Sequence, residues 1–165
     1  MNKSPTNSCL SQYNYKRQHT LIIFFSIGTN LGDRDANLRE ALRLLDERVG
    51  KQLALSSVYR SNPQGFVSEN KFANIVVAYQ TNYLPEELLL ITQQIEREMG
   101  RTIKSANGIY HDRIIDIDLL KATLHSAHIT HQSSLLTLPH PRMHERDFVI
   151  VPLLEVERML LQADF

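Results

Sequence analysis

The order of predicted elements, β-α-β-β-α-β followed by a loop and a last helix, assigns this sequence to the α+β class with a ferredoxin-like, split βαβ arrangement. Three observations predict it. Short runs rich in β-branched and aromatic residues read as four strands. Two intervening stretches carry apolar residues at helical spacing. The chain has 165 residues, enough for one domain with a real core but hardly for two.

The elements follow in order. Residues 1–19 are polar and read as a disordered extension before a domain spanning 20–165. Thr20 to Ile27 reads as a buried strand. Gly28-Thr29-Asn30-Leu31-Gly32-Asp33 is turn chemistry. Leu38, Ala41, Leu42, Leu45 and Val49 then mark a helix that Gly50 ends. Leu53 to Tyr59 is the second strand, and Asn62-Pro63-Gln64-Gly65 opens a polar loop to Lys71. Phe72 to Thr81 is the third strand. Pro85, Glu86 and Glu87 suit the start of a helix whose buried stripe is Leu88, Ile91, Ile95 and Met99. Arg101 to Asp112 lacks apolar periodicity and reads as a mobile loop. Ile114 to Leu120 is the fourth strand. A short hairpin around His128 to Thr130, a loop from Pro139 to Arg146 and a helix from Phe148 to Met159 complete the chain. Pro152 fits that helix only near its start or at a kink. Two helices would cover one sheet face and leave the other for a site.

Composition narrows the function classes. Eighteen basic and 18 acidic residues give a formal net charge of zero, which argues against a non-specific nucleic-acid binder. The single cysteine, Cys9, allows neither an intramolecular disulfide nor a cysteine metal cluster, and a reducing cytoplasm fits. Lys16 and Arg17 precede the apolar run Leu21 to Phe25, but the run is short and lacks a small-x-small cleavage pattern, against a signal peptide. No apolar stretch approaches the roughly 20 residues that span a bilayer.

The sharpest chemical feature is Arg113-Ile114-Ile115-Asp116-Ile117-Asp118-Leu119-Leu120. On a strand, Asp116 and Asp118 share a face, roughly 6–7 Å apart at Cα. Two carboxylates so close repel unless a cation neutralises them, and Mg²⁺ takes one or two carboxylates plus phosphate oxygens. A solvated strand face shows the same alternation. Pro139-His140-Pro141-Arg142-Met143-His144-Glu145-Arg146 presents two histidines and two arginines that could clamp phosphates, or form a solvated helix entry. Asn74, in an apolar strand, could read a heterocycle edge or be a satisfied buried amide. Phe72 and Phe148 could sandwich a flat ring or belong to the core. Gln93 and Glu96 share a helix face, solvated by default.

Together these pieces resemble the 6-hydroxymethyl-7,8-dihydropterin pyrophosphokinases of folate synthesis. The resemblance runs from about Leu21 to Glu155. It rests on Ser26-Ile27-Gly28-Thr29-Asn30-Leu31-Gly32-Asp33, Ser57-Val58-Tyr59-Arg60-Ser61, Phe72-x-Asn74, Gln93-x-x-Glu96 through Gly100-Arg101, Arg113-x-x-Asp116-x-Asp118 and Pro139-His140-Pro141-Arg142-Met143-x-Glu145-Arg146-x-Phe148. It implies ATP as pyrophosphoryl donor, two Mg²⁺ ions, release of AMP and small-molecule partners; a cytoplasmic monomer is expected. It implies that Asp116 and Asp118 hold the metal, and that these two with Arg101 and Arg113 are catalytic. Ser61, Pro63, Gln64, Phe72, Asn74, Asp116 and Phe148 match pterin positions. Gln93, Glu96, Lys104, Tyr110, Arg113, Leu119, Thr137, His140, Pro141 and Arg146 match nucleotide positions.

The sequence departs from the family pattern beside this site. A second arginine common two residues after the Arg101 position is Ile103 here, with Lys104 beside it. Gly108-Ile109-Tyr110-His111-Asp112 stands where many relatives have Arg-Trp-Gly-Pro, and Leu135 replaces an arginine found in some members. Two other readings fit the fold: a regulatory or RNA-binding module without catalysis, and a different metal-dependent phosphoryl or nucleotidyl transferase. Phe72 to Thr81 lacks the aromatic-basic segment of an RNA-recognition sheet.

Overall fold

The computed structural model describes residues 20–102 and 109–163. The expected N-terminal extension and Lys104 lie outside the described residues.

Strand β1 (Leu21–Thr29) leads to helix α1 (Arg34–Arg48), then β2 (Lys51–Leu55), β3 (Tyr59–Ser61) and β4 (Phe72–Thr81). Helix α2 (Pro85–Glu98) connects to β5 (Asp116–Leu124), which turns into β6 (Ala127–Ile129). A two-stranded ribbon of β7 (His131–Gln132) and β8 (Thr137–Leu138) follows. A single 3₁₀ turn (Met143–Glu145) leads into α3 (Asp147–Gln162). The main sheet runs β2-β4-β1-β5-β6, with β3 also on β4, and its neighbouring strands are antiparallel.

The sheet separates two cores because its strands are apolar on both sides. Ile23, Phe25 and Ile27 of β1, with Ile75, Val77 and Tyr79 of β4, face α1 and α2. Leu38, Ala41, Leu44 and Leu45 of α1 pack there with Leu88 and Ile95 of α2. Each such leucine or isoleucine stabilises by roughly 1.5–3 kcal/mol relative to exposure. The Asp33 side chain accepts from Ala36 N at 2.9 Å and caps α1. Glu87 accepts from Leu84 N at 2.8 Å and does the same for α2.

The second face, expected to be left for a site, is partly covered by the last helix. Helix α3 lays Val149, Leu153 and Val156 on Phe24, Val76, Ala78 and Leu120. The part of this face carrying Ser26, Gly28, Asn74, Asp116 and Asp118 lines an open pocket.

Several boundaries differ from the sequence expectation, each for a pairing reason. β1 runs through Gly28 and Thr29, which pair with Asn74 and Ala73 instead of turning. The second strand divides at Ser56–Val58: Ser56 Oγ accepts from Val76 N at 2.9 Å, and the Ser57 N–H is held by Glu155 of α3 at 3.0 Å. β5 starts at Asp116 and continues to Leu124, because Ala122, Thr123 and Leu124 pair with β6. Its turn uses His125 and Ser126 at φ 48° and 67°, a two-residue hairpin with both central residues left-handed. Pro152 sits in the second turn of α3 and is buried among its apolar residues, so packing accepts the lost Phe148 carbonyl bond.

Candidate active site

Cross-strand register assembles the site. Gly28 lies opposite Asn74 on β4 and opposite Asp116 on β5. Ser26 lies opposite Asp118, and Ser61 of β3 opposite Phe72. The period of two keeps Phe72, Asn74, Ser26, Gly28, Asp116 and Asp118 on one face. They floor a cavity of about 210 Å³. That is below the range of drug-sized clefts, so it suits one small ring rather than a whole nucleotide.

Its polar end is the acidic pair. Asp116 Oδ1 accepts from Arg101 Nη1 at 2.6 Å, and Oδ2 is 2.9 Å from Arg113 Nη2. Arg101 also reaches Glu96 Oε1 at 2.7 Å, and that oxygen accepts from Ile117 N at 2.7 Å. Arg101 and Glu96 are both nearly buried, so the expected mobile loop begins with an anchored side chain. Burial, then the Asp116 and Glu96 charges, pushes the Asp118 carboxyl up to about 7, against the pull of Arg146 and Arg113. A desolvated carboxyl with an acidic neighbour is an unfinished cation site. No group of three or more possible metal-ligating side chains occurs among the described residues. A cation here would complete its shell with substrate or water oxygens, which suits Mg²⁺. Asp116 keeps lone pairs beyond its two arginine contacts. The residues therefore fit that ion.

The opposite end has the shape and polarity for a planar polar group. Asn74 is 2% exposed, and its Nδ2 donates to Tyr59 O at 3.2 Å and Ser61 Oγ at 3.0 Å. A methyl on Gly28 would meet Asn74 Oδ1 at 2.9 Å, so the glycine leaves room for this amide. Phe72 carries Phe66 edge-on at 6.3 Å and the Arg113 guanidinium over its ring at 5.0 Å. Arg146 lies 5.8 Å from the Phe148 ring centroid. Gln64, Tyr110 and Phe148 complete the walls.

Other expected residues stand outside this cavity. Leu119 turns its side chain into the helix-side core, so it can offer a ligand in the cavity only its main chain. Pro63, Gln93, Thr137, His140 and Pro141 do not line the cavity either. His140 is tied in place by its N–H on Leu120 O, at 2.6 Å. Burial, with Arg146 and Arg142 nearby, lowers its imidazole below the ordinary value and keeps it neutral at pH 7. Its Nδ1 accepts from Arg142 N at 3.1 Å, leaving Nε2–H as the donor.

Sequence reading passed over Ser26, Gly28, Asn62, Gly65 and Phe66 as wall residues, and left Arg142 without a partner. Arg142 Nη1 donates to the Tyr110 hydroxyl at 3.0 Å. The small residues Ser26 and Gly28 in an otherwise bulky strand were the available signal. Their importance lies in the register, which joins residues some 50 and 90 positions apart.

An acidic pair flanked by arginines stands next to an amide-floored aromatic slot, an arrangement with the charge and shape for group transfer between an anionic phosphate and a small flat ring. The profile of the 7,8-dihydro-6-hydroxymethylpterin-pyrophosphokinase family matches residues 24–158. The chain is 52% identical over 135 residues to the 2-amino-4-hydroxy-6-hydroxymethyldihydropteridine pyrophosphokinase of Porphyromonas gingivalis, covering 82% of this chain and 90% of that one. It is 38% identical over 136 residues to the Bacillus subtilis protein of the same name, covering 82% and 77%. The chain belongs to the 7,8-dihydro-6-hydroxymethylpterin-pyrophosphokinase family. A solved HPPK-DHPS in complex with substrates shares its fold at a TM-score of 0.61 and 16% identity, over 84% of this chain and 40% of that one. The Plasmodium falciparum HPPK-DHPS triple mutant with SDX-DHP gives 0.59 at 17% identity, over 82% and 40%.

Proposed function

We propose that this chain transfers the β,γ-pyrophosphoryl group of ATP to the hydroxymethyl oxygen of 6-hydroxymethyl-7,8-dihydropterin, releasing AMP, as a step of folate synthesis. The observation that carries this is the juxtaposition of Asp116 and Asp118 with the Asn74 slot in one cavity. Strand order β2-β4-β1-β5, with both long crossovers helical, supports reading the fold as ferredoxin-like with an appended hairpin and helix. We take residues 20–165 as the catalytic domain, acting as a cytoplasmic monomer.

In this reading Asn74 and Ser61 hydrogen-bond the pterin edge, with Pro63 and Gln64 contributing from their loop. Phe72 and Phe148 flank the ring. The hydroxymethyl group then points at the acidic pair. Arg101 and Arg113 hold Asp116 and oppose charge on the transferred group. Gln93, Glu96, Lys104, Tyr110, Thr137, His140, Pro141 and Arg146 would serve the ATP side, with Leu119 contributing main chain. His140 Nε2–H and the Arg146 guanidinium would stabilise phosphate charge as the P–O bond to AMP breaks. Asp116 and Asp118 would hold two Mg²⁺ ions, which supply charge neutralisation and a lower pKa for the attacking hydroxyl. Asp118 would accept the proton.

The test incubates the protein with ATP, Mg²⁺ and the pterin alcohol. Equimolar AMP and pterin pyrophosphate are expected; ADP as product, or an unchanged pterin, would refute the reading. Asp116→Ala and Asp118→Ala should each lower kcat by more than about 100-fold, since even changes behind a metal's ligands cost 10–100-fold. Full activity in both variants would remove the metal assignment.

A further inference from the structure

We infer that Asp112 is a positioning residue for this reaction: its carboxylate locks the arginine-bearing segment 112–113 both to Asn30 at the end of β1 and to Asn70, in the 62–70 loop whose first half walls the ring pocket, setting Arg113 and the pocket in one geometry. The inference rests on the function proposed above.

Neither 62–70 nor 110–115 has regular ladder hydrogen bonds to hold it. Asp112 sits between them. Its Oδ1 accepts from Asn30 Nδ2 at 2.7 Å, and its Oδ2 from Asn70 Nδ2 at 2.7 Å. Asn30 is 3% exposed and passes the restraint on. Its Oδ1 accepts from Arg113 N at 2.8 Å, its own N–H donates to Arg113 O at 3.1 Å, and its Nδ2 also reaches Asn70 O at 3.2 Å. One carboxylate thus joins the end of β1, the pocket wall and the arginine's main chain. Ser68, then Asn70 and Asn30, hold the Asp112 carboxyl below its ordinary value, so it remains an acceptor for both amides.

The consequence reaches the chemistry through Arg113. With its main chain fixed on both sides by Asn30, the guanidinium lies at once 2.9 Å from Asp116 Oδ2 and over the Phe72 ring. The same segment also touches the wall at a second point. A methyl on Gly65, at φ +81°, would meet the Tyr110 ring at 3.0 Å, so Tyr110 lies directly on that glycine. Its hydroxyl accepts from Arg142. Wall and arginine segment are therefore held against each other beside the ring slot. Because the transferred group must meet the hydroxymethyl oxygen in line, a displacement of either segment costs rate as well as affinity.

The test is a swap. Asp112→Asn replaces one acceptor oxygen by an N–H₂ that Asn70 can meet by turning its own amide, whereas Asn70→Asp sets two carboxylates against each other. The double variant Asp112→Asn/Asn70→Asp restores one donor and one acceptor. For Asn70→Asp and for Asp112→Ala, kcat should fall and KM for the pterin alcohol rise, each by about tenfold, with KM for MgATP changed by less than about threefold. The swap should return both to within about threefold of the parent. A merely structural loss would instead lower the active fraction without raising the pterin KM, and the swap has no reason to repair it. Unchanged pterin KM and kcat in Asn70→Asp and Asp112→Ala, or a swap no better than Asn70→Asp alone, would overturn the inference. If Asp112→Ala does not fold, Asn70→Asp and the swap decide. A parent that yields no AMP refutes the proposed function; an active parent indifferent to changes at Asp112 refutes only this inference.

Discussion

Asp118 carries the most consequential single charge. Its carboxyl is raised from 3.8 to about 7, by burial first and Asp116 second. Between those values the folded protein binds more protons than the unfolded chain, so metal-free stability falls as pH rises toward 7 and levels off above it. Thermal melts in chelator from pH 5 to 8 should show that decline, and Asp118→Asn should flatten it. An equal slope in the variant would assign the effect to another group. Gly28 makes a second prediction at this scale. Gly28→Ala drives a methyl to 2.9 Å from an Asn74 oxygen whose amide is pinned by Tyr59 and Ser61. Steady-state kinetics should show the pterin KM raised about 10- to 100-fold with the ATP KM little changed.

Among the elements, α3 decides how much of the second sheet face remains for chemistry. It covers Phe24, Val76, Ala78 and Leu120. The Lys121 ammonium lies 4.7 Å from the Phe24 ring centroid and pairs with Glu157 of the helix. Glu155 takes both the N–H and the hydroxyl of Ser57, at 3.0 and 2.8 Å, fixing the corner between β2 and β3 that leads to Ser61. Neighbouring leucines on this helix have opposite fates, with Leu153 at 2% exposure and Leu154 at 51%. Leu153→Ala should cost about 2–5 kcal/mol in urea unfolding, and Leu154→Ala under about 0.5 kcal/mol. Equal costs would mean that α3 does not pack on the sheet this way. The helix's apolar spacing was legible in the sequence; the surface receiving it was not. Phe24, Val76 and Ala78 alternate with residues of the other core, so the strands read as buried without saying by what.

At the scale of the whole molecule, two cores on either side of one sheet hold a rigid floor under a site walled by loops. None of the described helices is long and apolar enough to cross a membrane. Ligand binding should therefore appear as stabilisation of the folded domain. MgATP at 100 times its Kd should add about 2.7 kcal/mol, or roughly 5–10 °C in melting temperature. Excess chelator should remove most of that shift while ATP remains present. A shift indifferent to the chelator would mean that nucleotide binding does not use the acidic pair.

The sequence alone determined the strand and helix order, the shared face of Asp116 and Asp118, the membership of His140, Arg142 and Arg146 in one stiff loop, and the resemblance that joined them. Those features are local: period, turn chemistry and motif spacing carry them. Tertiary structure decided what depends on pairing across distance. Register set Gly28 between Asn74 and Asp116, although nothing at position 28 names either partner. Packing took Leu119 out of the cavity, buried Arg101 against Glu96 and laid α3 over part of the open face. Asp112 is the clearest case. In the sequence it was one residue of an atypical loop; in the fold its two oxygens meet amides 82 and 42 positions away. Hydrogen bonds of that range leave no periodic trace, because each depends on where two separate turns end.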